Sequence, residues 1–405
     1  MNQDKLFIII PTTPERRERV KETLQSIEDN SKNVNYEVIV YENEDGGWVP
    51  AVHNALDKNN IKDDDLVWLL GSDCVLEEGC TQILLDTFQR NFPDGEGIVE
   101  PWDVFGDGRL SQHPLTKAKY IRKYLDKRFT HWYSDNWFTE QALDDHKLVF
   151  ANLARIDHKH FLNGKADKDK TYEKIFDQNT IKKDKELYDQ LQFERGKKNA
   201  DRADKPSIMI GLPTMHSMHP ILAINIMKWM ATGIQTKEYD LSIYPTFNVQ
   251  PVDNARNEIV KNFLKSGCTH LWFIDSDTIP PPDALKRLLA HDKPIISALT
   301  PIIEHDETKN GYWRKWNCVG EDDKHLMPNT GTKMCKGCGS SCIMIKREVF
   351  DKMKPPYYRF TYQDDTGKEV MVSEDIYFII NALSLGIKTY ADTSILCKHY
   401  KHALW

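Results

Sequence analysis

One order of elements is written twice along this chain, and that repetition limits the possible folds more than any other feature. The first copy opens with the apolar run Leu6–Pro11. Helix spacing follows over Glu15–Glu28, then a strand at Tyr36–Asn43, a helix near Pro50–Asp57 and a strand at Asp65–Leu70. That strand ends in Gly71-Ser72-Asp73, and Glu77–Asn91 reads as helix. The order restarts at Ser207–Leu212, with helix spacing over His219–Thr232, a strand at Tyr239–Tyr244, a helix over Asn254–Ser266 and a strand at His270–Ile274. The second strand of that type ends in Asp275-Ser276-Asp277, ahead of a helix over Asp283–Ala290 and a strand at Pro294–Leu299. Short apolar strands alternating with helices predict an α/β fold with parallel sheets and helices on their faces. The expected organisation is two consecutive Rossmann-like domains, 1–200 and 201–405. The Lys-, Asp- and Glu-rich stretch from Gly164 to Pro206 forms a charged helical tail of the first, ending in a short linker near Lys197–Lys205.

With 40% hydrophobic and 28% charged residues the composition is globular. A net charge of -7 argues against gripping polyanions through a large overall positive charge. The run Leu6–Ile10 is far short of the about 20 apolar residues that span a bilayer, and no signal-peptide layout precedes it, so a cytoplasmic protein without a membrane partner is expected. Eight cysteines in such a protein read as thiols. Zinc at Cys335-x-x-Cys338-x3-Cys342 would need a fourth ligand from Cys318 or His325. The missing second CxxC pair and the apolar run after Cys342 favour buried thiols instead.

In an open parallel sheet, ligands bind beyond the carboxyl ends of the strands, where both acidic tips fall. Asp275 and Asp277, two apart on an extended segment, can face one site, and two hard oxygen ligands suit Mn²⁺ or Mg²⁺. The first copy keeps Asp73 but has Gly71 where the first carboxylate would stand. Further on, Glu374 and Asp375 open a helix that Ser373 can cap. A carboxylate there can serve as the general base for a hydroxyl acceptor. His399 follows as a third metal ligand. The first copy repeats the order with Asp135 and His158.

In that order of motifs, both halves resemble the GT-A fold of glycosyltransferases, especially inverting family 2-like enzymes, including some encoded by tailed phages. The resemblance implies that Asp275, Asp277 and His399 hold a divalent ion against the diphosphate of a nucleotide-sugar, UDP-linked by preference, with Asp73 and His158 as counterparts. It implies catalytic roles for Asp375, Glu374 and Asp135. Nucleotide contacts would come from Pro11, Thr12, Glu42, Asn43 and Asn54 in the first half. In the second they would come from Pro213, Thr214, Asp253, Arg256, Asn257 and Asp275. The acceptor it suggests is a 5-hydroxymethylpyrimidine of phage DNA. Trp313, Arg314, Lys315, Trp316, Tyr357, Tyr358 and Arg359 are the candidates to line its path. A surface polysaccharide is the alternative acceptor, and nucleotidyl transfer the alternative reaction. The latter is disfavoured because Pro11-Thr12-Thr13-Pro14 lacks the glycines of a phosphate loop.

Overall fold

The computed structural model describes residues 5–44, 47–103, 110–215, 217–306, 311–363 and 369–400. The chain divides into two compact units, Met1–Leu191 and Gln192–Trp405.

In the first unit the elements run β1 (Leu6–Thr12), α1 (Arg17–Asn30), β2 (Tyr36–Glu42), α2 (Trp48–Lys58), β3 (Leu66–Leu69), β4 (Cys74–Leu76) and α3 (Cys80–Asn91). They continue with β5 (Ile98–Asp103), β6 (Leu115–Lys117), α4 (Ala118–Tyr124), α5 (Ser134–Asp144), β7 (Leu148–His158), α6 (Lys170–Ile175) and α7 (Gln178–Asp201), whose last turns belong to the second unit. The second unit opens with β8 (Ser207–Thr214), α8 (Pro220–Thr236), β9 (Asp240–Phe247), α9 (Val252–Ser266), β10 (His270–Ile274), β11 (Thr278–Ile279), α10 (Ala284–Ala290) and β12 (Ile295–Leu299). After these come β13 (Pro301–Asp306), β14 (Gly311–Trp316), β15 (Cys318–Gly320), β16 (Thr332–Cys338), β17 (Cys342–Lys346) and α11 (Arg347–Lys352). The last are β18 (Thr361–Gln363), β19 (Glu369–Val372), α12 (Glu374–Ser384), β20 (Thr389–Leu396) and β21 (Lys398–His399).

Each unit is a mixed α/β domain built on one large sheet, and the two sheets share a strand order over six strands. The first reads β2-β1-β3-β6-β5-β7-β4 and the second β9-β8-β10-β17-β12-β20-β16-β15. The fold is therefore two consecutive Rossmann-like domains. It differs from the sequence expectation in one respect: the sheets are not wholly parallel. The short strand β6 runs antiparallel between β3 and β5, and β17 does the same between β10 and β12. Strands of three and five residues carry no sign of their direction, which is why sequence periodicity misses this.

Burial on both faces explains the unbroken apolar runs of β1 and β10. A large residue sits at the same register in each copy. Trp68 pairs with Ile8 and Leu115, and Trp272 with Ile210 and Met344; both are fully buried. Strand β8 extends past Leu212 through Pro213 to Thr214, because there only the edge strand β9 lies beside it, which a proline tolerates. Likewise Pro220 opens α8 at a position where its missing N–H costs nothing.

The charged stretch after Gly164 behaves differently from its sequence reading. It forms α6 and the 24-residue α7, which continues as helix through Lys197–Asp201, where a linker is expected. Leu187, Tyr188 and Leu191 pack on the first core, and Phe193 packs on the second. A few apolar residues on a mostly solvated helix suffice to fix it. Every cysteine is buried and free, Cys335, Cys338 and Cys342 included. Among the described residues, no helix is long and apolar enough to cross a membrane.

Candidate functional site

Where β3 and β10 end, the chain turns in each unit through an acidic tip into a short strand that pairs with the end of that unit's last strand. Cys74 stands opposite His158 in the first unit, and Thr278 opposite His399 in the second. The residue before each short-strand position is an aspartate. The pairing therefore brings Asp73 Oδ1 within 3.3 Å of His158 Nε2, and Asp277 Oδ2 within 3.2 Å of His399 Nε2.

In the second unit, the Nδ1 of His399 lies 2.9 Å from the carbonyl oxygen of Pro301. A carbonyl only accepts, so Nδ1 carries a proton, and Nε2 is the nitrogen that faces Asp277. Asp275 is held from behind by Arg256, whose Nη2 donates to Asp275 Oδ1 at 2.9 Å and whose Nε donates to Glu374 Oε1 at 3.3 Å. Arg256 and Glu374 are both buried. Burial raises the Glu374 carboxyl above its ordinary range against the pull of Arg256. Ser373 does not cap α12 through its side chain; its Oγ donates to Asp375 Oδ1, which also accepts from the Ile376 N–H at 2.8 Å. Two donors on Oδ1 fix that carboxylate's rotation and leave Oδ2 as the oxygen it presents, toward Gly339.

The other second-unit candidates lie around this core. Asp253 accepts from the Phe360 N–H at 3.3 Å, and Asn257 accepts from the Tyr357 and Tyr358 N–H groups. Both therefore brace the segment 357–360. Pro213 and Thr214 end β8, where Thr214 Oγ1 donates to Leu212 O. Tyr358 is fully buried and stacked on Phe378, with ring centroids 4.8 Å apart, so it belongs to the core rather than to an acceptor path. Trp316 and Tyr357 pack against the same core, and Arg359 is exposed. The side chains of Trp313 and Arg314 lie outside the described residues.

The first unit holds a cavity of about 510 Å³ beyond β1 and β3, with Asp73, His113, Asp135, His158 and Tyr172 in its wall. Asp73 is its electrostatic centre. It accepts from Arg16 Nη1 at 3.1 Å and from the Tyr172 hydroxyl at 3.0 Å, beside His158. Burial works against its charge, but His158, Arg16 and Tyr172 together hold its carboxyl far below the usual range. The same reasoning applies to His158. Burial opposes its charge, and bonds to Asp103 (2.8 Å) and Asp73 raise it to about 10. Pro11, Thr12 and Asn43 line a smaller adjoining cavity. Glu42 instead pairs with Arg17 at 2.5 Å, and Asn54 lies on the exposed side of α2. Asp135 opens α5 with burial raising its carboxyl, and accepts from Gln112 Nε2 at 3.2 Å.

Several residues that build this cavity carry no sequence signal. Asp169 binds Arg16 and Arg19. Asp184, fully buried on α7, accepts from the N–H groups of Thr130, His131 and Trp132 at 2.8–3.0 Å. Both belong to the stretch read as a charged helical tail. Glu100 is another. Its Oε1 accepts from the Gln112 and His113 N–H groups and its Oε2 from Ser111 Oγ, which fixes His113 in place. Burial outweighs these three donors and pushes Glu100 up to about 8.

A carboxyl neutral in the fold up to about pH 8 but ionised when unfolded above about pH 4.5 makes stability fall as pH rises between those values. Glu100→Gln should abolish that slope, because its amide oxygen can serve the two backbone donors and its NH₂ can donate to Ser111 Oγ. Urea unfolding at pH 5 and pH 8.5 tests this. The variant should lose no stability at pH 5 and gain on the order of a few kcal/mol at pH 8.5. Equal curves at the higher pH would reject the neutral carboxyl.

No protein-family model matches the chain, and no curated protein does. Among solved structures it is similar to A197 from STIV at 20% identity, over 48% of this chain and 86% of that one, with a TM-score of 0.31. Apo-UDP-glucose pyrophosphorylase is 12% identical over 52% and 80%, with a TM-score of 0.28. UDP-glucose pyrophosphorylase complexed with UDP-glucose is 10% identical over 48% and 92%, also at 0.28. TM-scores this low carry no functional argument, and the description of the fold rests on the shared strand order.

Proposed function

We propose that the chain is a metal-dependent glycosyltransferase that moves a sugar from a nucleotide-sugar to an acceptor hydroxyl. One observation carries this reading: the same carboxylate–imidazole pair stands at the same register in both units, Asp73 with His158 and Asp277 with His399. A solvated turn aspartate has no reason to recur opposite a histidine twice.

The second-unit donors fit Mn²⁺ or Mg²⁺. Asp275 and Asp277 offer oxygens, His399 Nε2 faces Asp277, and Asp275 is held by Arg256. Such an ion supplies charge neutralisation for the departing diphosphate. The protein's own part is placement and proton transfer. Arg256 ties the Asp275 carboxylate to the first turn of α12, so the two ends of the site keep a fixed separation. Asp375 Oδ2 takes the proton of the acceptor hydroxyl as that oxygen attacks the anomeric carbon, and the bond to the diphosphate breaks on the opposite face. One displacement inverts the configuration. The resemblance makes a 5-hydroxymethylpyrimidine of DNA the first acceptor to test.

Thermal shift and product analysis test the reading on the full chain. With Mn²⁺ and a UDP-sugar at about one hundred times its Kd, stability should rise by about 2.7 kcal/mol, or roughly 5–10 °C in Tm. EDTA should abolish the shift. Incubation with hydroxymethylated DNA, followed by digestion to nucleosides, should give a product heavier by one sugar. No shift with any nucleotide-sugar, with or without metal, together with no sugar on DNA or glycan acceptors, would end the proposal.

A further inference from the structure

The geometry points to a zinc-type site in the first unit, built from Cys74, His113 and His158 beside Asp73, which takes a borderline-soft cation rather than the hard Mn²⁺ or Mg²⁺ assigned to the second unit. The inference rests on the proposed function for what the cation does there, but not for its presence.

The donor atoms of Cys74, His113 and His158 all lie within 4.8 Å of one another. The Cys74–His113 separation is that of a ligand pair around one small ion, and so is the contact of His158 with Asp73. Cys74 Sγ is 3.6 Å from His113 Nε2, and His158 Nε2 is 3.3 Å from Asp73 Oδ1. Zinc–sulfur and zinc–nitrogen or –oxygen bonds at tetrahedral angles put such pairs about 3.5 Å and about 3.3 Å apart. His113 is buried, its Nδ1 has no partner, and its Nε2 reaches only long contacts, to Cys74 and to Asp103 Oδ2 at 3.6 Å. A buried imidazole with no close partner on either nitrogen is costly, and a cation on Nε2 removes the part of that cost carried by Nε2. Asp103 completes the pattern from outside: it accepts from His158 Nδ1 at 2.8 Å, the carboxylate–histidine arrangement that orients a metal-bound imidazole.

Gly71 ties this cluster to the departure already noted in the sequence. A Cβ there would lie 2.9 Å from Cys74 Sγ, 3.2 Å from Asp73 Oδ1 and 3.4 Å from His113 Cε1. Cys74, His113 and the neighbouring Asp73 therefore crowd the spot where Asp275 stands in the other copy. Register makes the exchange explicit: Cys74 and His113 occupy the positions of Thr278 and Cys342. A thiolate and two imidazoles select zinc over magnesium or manganese.

Metal content of the purified full chain tests this without any substrate. After dialysis against chelator-treated buffer, the wild type should retain one zinc per chain, and Cys74→Ser and His113→Gln should retain at least tenfold less, with unchanged circular dichroism. Cobalt replacement adds a ligand-specific reading. A thiolate-to-cobalt charge-transfer band should persist in Asp277→Asn and vanish in Cys74→Ser. A band that survives Cys74→Ser, or is removed by Cys335→Ser instead, overturns the site. If Cys74→Ser does not fold, Asp103→Asn decides: zinc should bind 10–100-fold more weakly, and unchanged affinity overturns the assignment. Because no sugar transfer is measured, failure of the glycosyltransferase reading leaves these outcomes interpretable.

Discussion

Asp375→Asn should lower kcat for sugar transfer by about 10²–10⁴-fold while changing KM for the nucleotide-sugar by less than about threefold. A hydroxyl acceptor loses its proton only as it attacks, so a base acts in the transition state and adds nothing to donor binding. Asparagine keeps the size and can still accept from the Ile376 N–H, so the start of α12 should hold its geometry. The measurement is steady-state transfer by the full chain across a range of donor concentrations, with circular dichroism as the folding control. A folded variant with kcat within threefold of the wild type would remove Asp375 from the chemistry. A matched loss in Glu374→Gln with intact kcat in Asp375→Asn would move the role one residue back.

Arg256→Met carries the largest expected stability effect, about 3–5 kcal/mol at pH 8, because it strands charge in a buried place. The guanidinium is 3% exposed and touches both Asp275 and Glu374, and Glu374 is itself 7% exposed. Methionine fills the volume but answers neither carboxylate. The pH dependence gives the signature. Burial already raises the Glu374 carboxyl, and losing Arg256 removes a group that lowers it, so its folded pKa moves further above the unfolded value. The penalty is then full where Glu374 is forced to ionise and fades as pH falls toward the unfolded carboxyl range. Urea unfolding at pH 8 and pH 5 should show a deficit that shrinks on acidification. A deficit below about 1 kcal/mol, or one equal at both pH values, would show that the ion pair does not brace the site.

The residues that could be read from sequence are those whose meaning lies in order along the chain. The strands β1, β3, β8 and β10 are apolar runs, and Asp73, Asp277, His158 and His399 stand at fixed places after them, so periodicity and position locate them. The rest of the first site is invisible for a physical reason: its members meet only through the fold. Arg16 lies 57 residues from Asp73, Tyr172 lies 99 residues from it, and His158 lies 55 residues from Asp103. No local pattern marks such pairs. Composition also misleads. Asp169 and Asp184 sit in a stretch whose charge density reads as solvated, yet Asp184 is fully buried because three backbone N–H groups converge on it. An isolated buried carboxylate looks the same in sequence as an exposed one, and only its donors tell them apart. The direction of β6 and β17 fails for a related reason, since direction is a property of pairing and not of the residues in the strand.

The bare α-carbon at Gly71 has a consequence for how the two halves can change. Installing aspartate there alone drives its first side-chain atom to 2.9 Å from a buried sulfur, so the substitution is blocked until Cys74 shrinks or leaves. Shrinking Cys74 first would empty space against His113 before anything replaced it. A carboxylate at position 71 is therefore coupled to the residue at position 74, and that steric coupling ties the first half to its own set of donors.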